Sequence, residues 1–300
     1  SGVRLARAFS GEDSTAVTLR IWDDAHGRYR TPISIKADRA ISRVYHVCLS
    51  ADGRRLAADY LVIKPPTMRL QVWDADSGQE LFTAPDGSFL LTALSFSPDG
   101  RRVAWAHDKR VHVWDLETKQ QLLEVEDANT FPTRLSFSPD GRRLAWAGER
   151  RVRVWEIAPA REALVVSDPG GTAGPVIFSP DGRHLTGCVG TPFSYTEVKT
   201  WDAATGAEVL SLKGEKELRD LAYTPDGRRL ATLSQTHQDG VPGFEVKLWD
   251  AATGLLLLRL PAAGGGERCL QFAPDGQRLL LVNRFPAHTD EWRKVWDATR

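Results

Sequence analysis

Methionine occurs once, cysteine three times, and no charge of either sign is in excess: 39 basic side chains balance 39 acidic ones over 300 residues. A chain without net charge has no long-range attraction for a polyanion, so nucleic acid and anionic membrane surfaces are disfavoured as partners. Long apolar runs are also missing. Stretches such as Leu255 to Leu258 are far shorter than the roughly 20 residues that span a bilayer. The first residues carry no basic-then-apolar signal pattern, so a soluble, cytoplasmic protein is expected. Cys48, Cys188 and Cys269 are an odd set without metal-like spacing, each inside a predicted strand, where a thiol acts as a small apolar side chain. No disulfide framework is needed at this length, and a reducing compartment follows.

Catalytic constellations are missing too. The seven histidines (His26, His46, His107, His112, His184, His237, His288) are scattered, with no His-Glu-x-x-His, no Cys-x-x-Cys and no Gly-x-Ser-x-Gly. Gly264-Gly265-Gly266 lacks the lysine and the helix of a phosphate loop. Neither a catalytic residue, a metal ligand nor a cofactor is assigned.

What is present is repetition. Phe96-Ser97-Pro98-Asp99-Gly100-Arg101-Arg102-Val103-Ala104 is followed by Val113-Trp114-Asp115. Asp-Gly between apolar segments predicts a hairpin, so the unit reads strand, tight turn, strand, loop, strand. The turn recurs at Asp52-Gly53, Asp140-Gly141, Asp181-Gly182, Asp226-Gly227 and Asp275-Gly276. The ending recurs at Trp22, Trp73, Trp155, Trp201, Trp249 and Trp296, spaced 41 to 51 residues apart. A unit of that length cannot bury its own apolar faces and must stack on its neighbours. The pattern resembles the WD-repeat β-propeller family over essentially the whole chain, and the wording Ser-Pro-Asp-Gly-Arg-Arg-Leu-Ala is similar to its bacterial branch, which is often attached to signalling modules such as serine/threonine kinases.

The resemblance implies an all-β fold, a single seven-bladed propeller of four-stranded antiparallel blades over residues 1–300, with strands a to d in each blade. The family's Gly-His pair is absent here, and the strand-b position holds Ala58, Trp105, Trp146, Gly187, Thr232 and Leu281, so one hydroxyl remains for the family's buried network. Gly2 to Ala6 aligns with Gly53 to Ala57, because Leu5 and Leu56 both precede a tryptophan by 17 residues. The first blade is then expected to lack strand a and the last to lack strand d, as in a fragment of a larger protein. Both would offer open edges to a second chain, in an otherwise monomeric protein.

From turn glycine to tryptophan the count is 14 in the third and fourth repeats and 19 to 22 elsewhere. The extra residues include Tyr60 to Met68, Phe193, Tyr195, Phe244, Phe285 and Trp292, either recognition loops or longer β-ribbons that pack on one another. On the same face, by analogy with the family, strand a opens with Tyr45 and His46, Thr133 and Arg134, Arg219 and Asp220, and Arg268. Arginine and tyrosine suit a binding rim. The expected function is a non-enzymatic platform for a peptide or partner domain; the alternatives are a small-ligand sensor or enzyme using the channel, and a structural spacer. The Arg-Arg pairs after each Asp-Gly fit stem packing and local charge pairing better than a nucleic-acid ring.

Overall fold

The computed structural model describes residues 4–10, 16–23, 28–29, 33–36, 41–62, 66–85, 91–126, 132, 134–148, 151–167, 172–191, 194–213, 217–238, 241–262, 268–283 and 293–297. Among them there is no helix. The chain divides into two compact units, residues 1–131 and 132–300.

The first unit holds three antiparallel sheets. The first contains β1 (Arg4–Ser10), β2 (Ala16–Asp23), β3 (Arg28–Tyr29) and β4 (Ile33–Lys36). Both β3 and β4 pair with β2, so they form one interrupted edge strand. Leu5 pairs with Trp22 as Leu56 pairs with Trp73, the register that the Gly2–Gly53 alignment requires. The second sheet is β5 (Ile41–Leu49), β6 (Arg55–Val62), β7 (Thr67–Asp74) and β8 (Glu80–Thr83); the third is β9 (Ala93–Phe96), β10 (Arg102–His107), β11 (Arg110–Asp115) and β12 (Gln120–Glu126).

The second unit holds four more. They are β13 (Leu135–Phe137) with β14 (Arg143–Gly148), β15 (Arg151–Glu156) and β16 (Arg161–Ser167); and β17 (Thr172–Phe178) with β18 (His184–Thr191), β19 (Ser194–Asp202) and β20 (Glu208–Lys213). The sixth sheet is β21 (Leu218–Tyr223), β22 (Arg229–Gln238), β23 (Val241–Asp250) and β24 (Leu256–Ala262). Three strands, β25 (Arg268–Phe272), β26 (Arg278–Asn283) and β27 (Arg293–Asp297), make the last. Six of these sheets have four antiparallel strands, and the described residues contain no helix, an all-β arrangement consistent with a propeller-like fold.

Within each unit the sheets pack face to face. Leu19 and Ile21 of the first sheet meet Leu56, Ala58 and Tyr60 of the second, whose other face puts Ala57, Leu70 and Val72 against Val103 and Trp105 of the third. In the second unit Val152 and Val154 pack with Val176 and Trp201, Val198 with Leu221 and Leu230, and Val246 with Leu270 and Leu279. A sheet covered on both faces needs apolar residues at successive positions, which is why runs such as Leu279-Leu280-Leu281 blur the strand alternation. Each fully buried leucine or valine contributes about 1.5–3 kcal/mol.

The turns that join first and second strands are built from their own side chains. Ser138 Oγ donates to Asp140 Oδ1 at 2.5 Å and accepts the Arg143 amide at 2.9 Å, while Asp140 accepts the Arg142 amide at 3.0 Å. Ser50, Ser97, Ser179 and Thr224 repeat this arrangement. The glycine takes the left-handed conformation, φ 70° at Gly182, and a Cβ there would lie 3.3 Å from Pro139 Cδ in the preceding repeat. Gly227 sits on Pro180 and Gly276 on Pro225 in the same way. Pro-Asp-Gly is therefore a stacking unit as well as a turn. The second arginine of the pair completes it: Arg143 donates to the Gly182 and Ala203 carbonyls at 3.1 Å, and Arg55 to that of Gly100 at 2.7 Å. These two guanidiniums serve the packing of neighbouring repeats.

After the tryptophan, a second turn is organised by the following carboxylate. Asp74 Oδ1 accepts the Ser77 amide and hydroxyl, both at 2.7 Å, and Asp202 and Asp250 do the same with Thr205 and Thr253. Lys119 occupies the glycine position in the third repeat and is held at φ 54°.

Candidate functional site

The first strands of the second and sixth sheets share an irregularity. Val44 pairs with Tyr60 and His46 with Asp59, so the register shifts at Tyr45; Leu218 pairs with Ser234 and Asp220 with Leu233, so it shifts again at Arg219. A bulge at this point turns one side chain out of the alternation and bends the strand. Arg219 is exposed and donates to Gln235 Oε1 at 2.6 Å, with Glu217 at 3.5 Å. Tyr45 is half-buried.

The residue after each bulge turns inward. Asp59, fully buried on β6, accepts the His46 amide at 2.7 Å through Oδ1, and His46 Nδ1 lies 3.0 Å from the same oxygen. Asp59 Oδ2 has no hydrogen-bond partner among the described residues. Sequence reasoning missed Asp59, although a carboxylate inside Leu56-Ala57-Ala58-Asp59-Tyr60 is the signal that could have found it. In the second unit Asp220, whose side chain is 5% exposed, forms an ion pair with Arg134 and accepts the Leu270 amide at 2.8 Å. Arg134 thus reaches from the residue preceding β13 to β21, past the sheet that lies between them in the chain.

Three of the anticipated rim residues therefore have inward partners: His46 ties β5 to Asp59 of β6, while Arg134 and Asp220 link the openings of first strands in the second unit. Phe244 is a correction. It is buried on β23 with Leu233, Val246 and Leu281, because the longer sixth hairpin continues as a ladder from Gln238↔Val241 and its alternation puts Phe244 inside. The same holds for Tyr60 and Met68, buried on the ribbon of β6 and β7. Arg268 opens β25 and Tyr195 lies on β19, with side chains outside the described set; Thr133, Phe193, Phe285 and Trp292 fall outside the described residues.

The tryptophans that close the third strands differ in hydrogen bonding. Trp249 Nε1 donates to Thr232 Oγ1 at 3.1 Å. Trp114 Nε1 and Trp155 Nε1 are buried without a partner among the described residues, since Trp105 and Trp146 stand where a hydroxyl would be needed. The exchange substitutes ring packing for polarity: Trp105 stacks with Trp114 at 6.4 Å and with His112 at 5.2 Å, and Trp146 with Trp155 at 6.3 Å.

The turn carboxylates are held in their charged form. Burial pushes the Asp140 carboxyl up, but the Ser138 hydroxyl, the Arg142 amide and the charges of Arg143 and Arg142 outweigh it and bring it below the usual value. Asp226 is lowered chiefly by the Thr224 hydroxyl and the Arg228 amide. These shifts belong to turn structure. No group of three or more His, Cys, Asp or Glu stands together as a metal site among the described residues. An open cleft of about 330 Å³ is lined by Leu81, Phe82, Pro85 and Trp114 with Glu80 and Lys119, on the edge strand β8 rather than at the bulges.

The segment from the turn before β8 to the end of β11 carries the whole pattern of edge strand, bulge-free first strand, Ser-Pro-Asp-Gly turn and Trp-Asp ending. Residues 78–115 match the family model of the WD domain, G-beta repeat. This segment is a WD40 repeat. No curated protein matches the chain. The pairing Val103↔Trp114 within the matched segment returns as Leu144↔Trp155, Leu185↔Trp201, Leu230↔Trp249 and Leu279↔Trp296.

Proposed function

We propose that the chain is a seven-bladed WD-repeat propeller of the bacterial type. On this reading it acts as a non-enzymatic interaction platform for a peptide or partner domain, on the face that carries the long b–c hairpins. WD40 repeats generally mediate protein–protein contacts, and the match at residues 78–115 supports that reading. The observation that carries it is the bulge at Arg219, which sets an exposed cationic side chain out of the alternation at the opening of β21; in the first unit, Tyr45 marks the corresponding bulge of β5. Arg268, at the opening of β25, joins them. The ligand that suits them is a carboxylate-bearing or phosphorylated segment. Phe193, Tyr195, Phe285 and Trp292, from the long hairpins of the sequence, are proposed as apolar contacts for the partner. Nucleic acid and membrane are not partners on this reading, and the protein acts as a cytoplasmic, monomeric scaffold in signalling.

The test is affinity capture from a cell extract with the intact chain and with an Arg219→Ala, Arg268→Ala double variant. The expected result is a specific protein retained by the first and lost by the second, at unchanged melting temperature. Equal retention by both would overturn the assignment of the face.

A further inference from the structure

The fourth strands are sheet edges, and most present charge. Opposite the closing tryptophan stand Glu80 on β8, Glu162 on β16 and Glu208 on β20. Each carboxylate meets the polar residue two positions before that tryptophan: Gln71 Nε2 donates to Glu80 at 2.8 Å, Arg153 to Glu162 at 2.7 Å, and Lys199 Nζ lies 3.0 Å from Glu208. Carboxylates and cations along an edge keep a foreign strand from pairing there.

In the sixth sheet this device is absent. Leu256 is the residue opposite Trp249, and Lys247 lies instead 3.5 Å from Glu245 on its own strand. Leu255, Leu256 and Leu257 are 64%, 37% and 49% exposed. Val165 and Val209 are also exposed, but each is the one large aliphatic exposed on a strand that presents charged residues. Among the described residues no strand pairs with the free side of β24. The turn that launches β24 is fixed, because Gly254, at φ 72°, leaves room for no Cβ: one would lie 2.8 Å from Leu212 Cδ2 and 3.0 Å from Leu210 Cδ1. Pro261, which lacks an N–H, limits pairing at the other end. What remains is a five-residue window, Leu256 to Leu260, on an edge that no described strand covers, with exposed leucines and an exposed cation. The Arg259 side chain is 61% exposed, with Nη1 3.7 Å from Glu245 Oε1.

We propose that the free edge of β24 receives a fifth strand: an extended, mainly apolar segment of a partner protein, carrying one carboxylate to meet Arg259. The backbone of the window dictates an extended occupant, the leucines dictate apolar side chains, and Arg259 dictates the charge. A second copy of the chain fits less well. The window has no acid to offer Arg259, and a stable dimer buries about 800 Å² per partner, more than so short an edge supplies. This inference does not depend on the rim reading, because β24 and the Arg219 bulge on β21 lie at opposite edges of the sixth sheet.

The probe is a fluorescein-labelled heptapeptide of alternating valine and threonine with a central glutamate, titrated against the full chain by fluorescence polarisation. Saturable binding is expected, weakened about tenfold or more by Leu256→Glu, which places there the acid that β8, β16 and β20 carry, and by Leu257→Lys. Both sites are exposed, so the fold is retained. On the unaltered chain the peptide should slow amide exchange within Leu256–Leu260, and a lysine in place of its glutamate should weaken it. No saturable binding, equal binding by the variants, or protection confined elsewhere overturns the proposal. So does a concentration-dependent dimer that Leu257→Lys abolishes, which would give the edge to a second copy.

Discussion

Replacing Arg134 by methionine removes the cation from a carboxylate that cannot reach water. Asp220 keeps the Leu270 amide at 2.8 Å, but that is one neutral donor for a full charge on a side chain 5% exposed. Unpairing a buried charge costs 3–5 kcal/mol; Arg134, itself 28% exposed, places the cost at the low end, about 3 kcal/mol. Asp220→Asn keeps an acceptor for Leu270 and leaves a cation that can turn to solvent, so it should cost about 1 kcal/mol. With both changes the charge is gone from both sides, and the double variant should recover to within about 1 kcal/mol of the unaltered chain, a coupling of at least 2 kcal/mol. Urea midpoints of the four proteins measure it. An Arg134→Met effect below about 0.5 kcal/mol, the size of an ordinary surface change, would refute the reasoning.

Trp201→Ala, which empties a nearly fully buried aromatic site, should cost about 3–5 kcal/mol by the same assay. Thr232→Val should cost about 1–2 kcal/mol by orphaning Trp249 Nε1; an unchanged midpoint would show that the bond is dispensable. Lys119→Gly relieves a left-handed non-glycine residue and should stabilise by about 0.5–1 kcal/mol, against the same substitution at Lys213, which should not. Acid should act through Asp52, Asp74, Asp99, Asp115, Asp140, Asp181, Asp202, Asp226, Asp250 and Asp275, all lowered in the folded chain. The unfolded chain binds protons first as pH falls, so the stability they contribute is complete above about pH 4 and is lost below it. Denaturation midpoints that stay flat from pH 4 to pH 2 would contradict this.

The repeat was legible because it is local. Asp-Gly, Trp-Asp and their spacing determine register without reference to the rest of the chain, and Leu5↔Trp22 follows from counting alone. The inner charges were not legible. Arg134 and Asp220 sit in different repeats, and a sequence shows neither the bulge at Arg219 nor the inward turn of Asp220 that follows it. Phe244 was misplaced for a related reason: extra residues between turn and tryptophan look like loop until they pair, and pairing buries every second one. The leucines of β24 were visible as a run, but only the edge position of the strand gives them meaning.

The most direct measurement of the interaction-platform reading is amide hydrogen exchange of the chain alone and bound to its captured partner. The account requires slowed exchange at the first-strand openings, at Tyr45 and His46, Arg219 and Asp220, and Arg268, with the Ser-Pro-Asp-Gly turns unchanged. Protection confined to those turns, or none at the bulges, would contradict it.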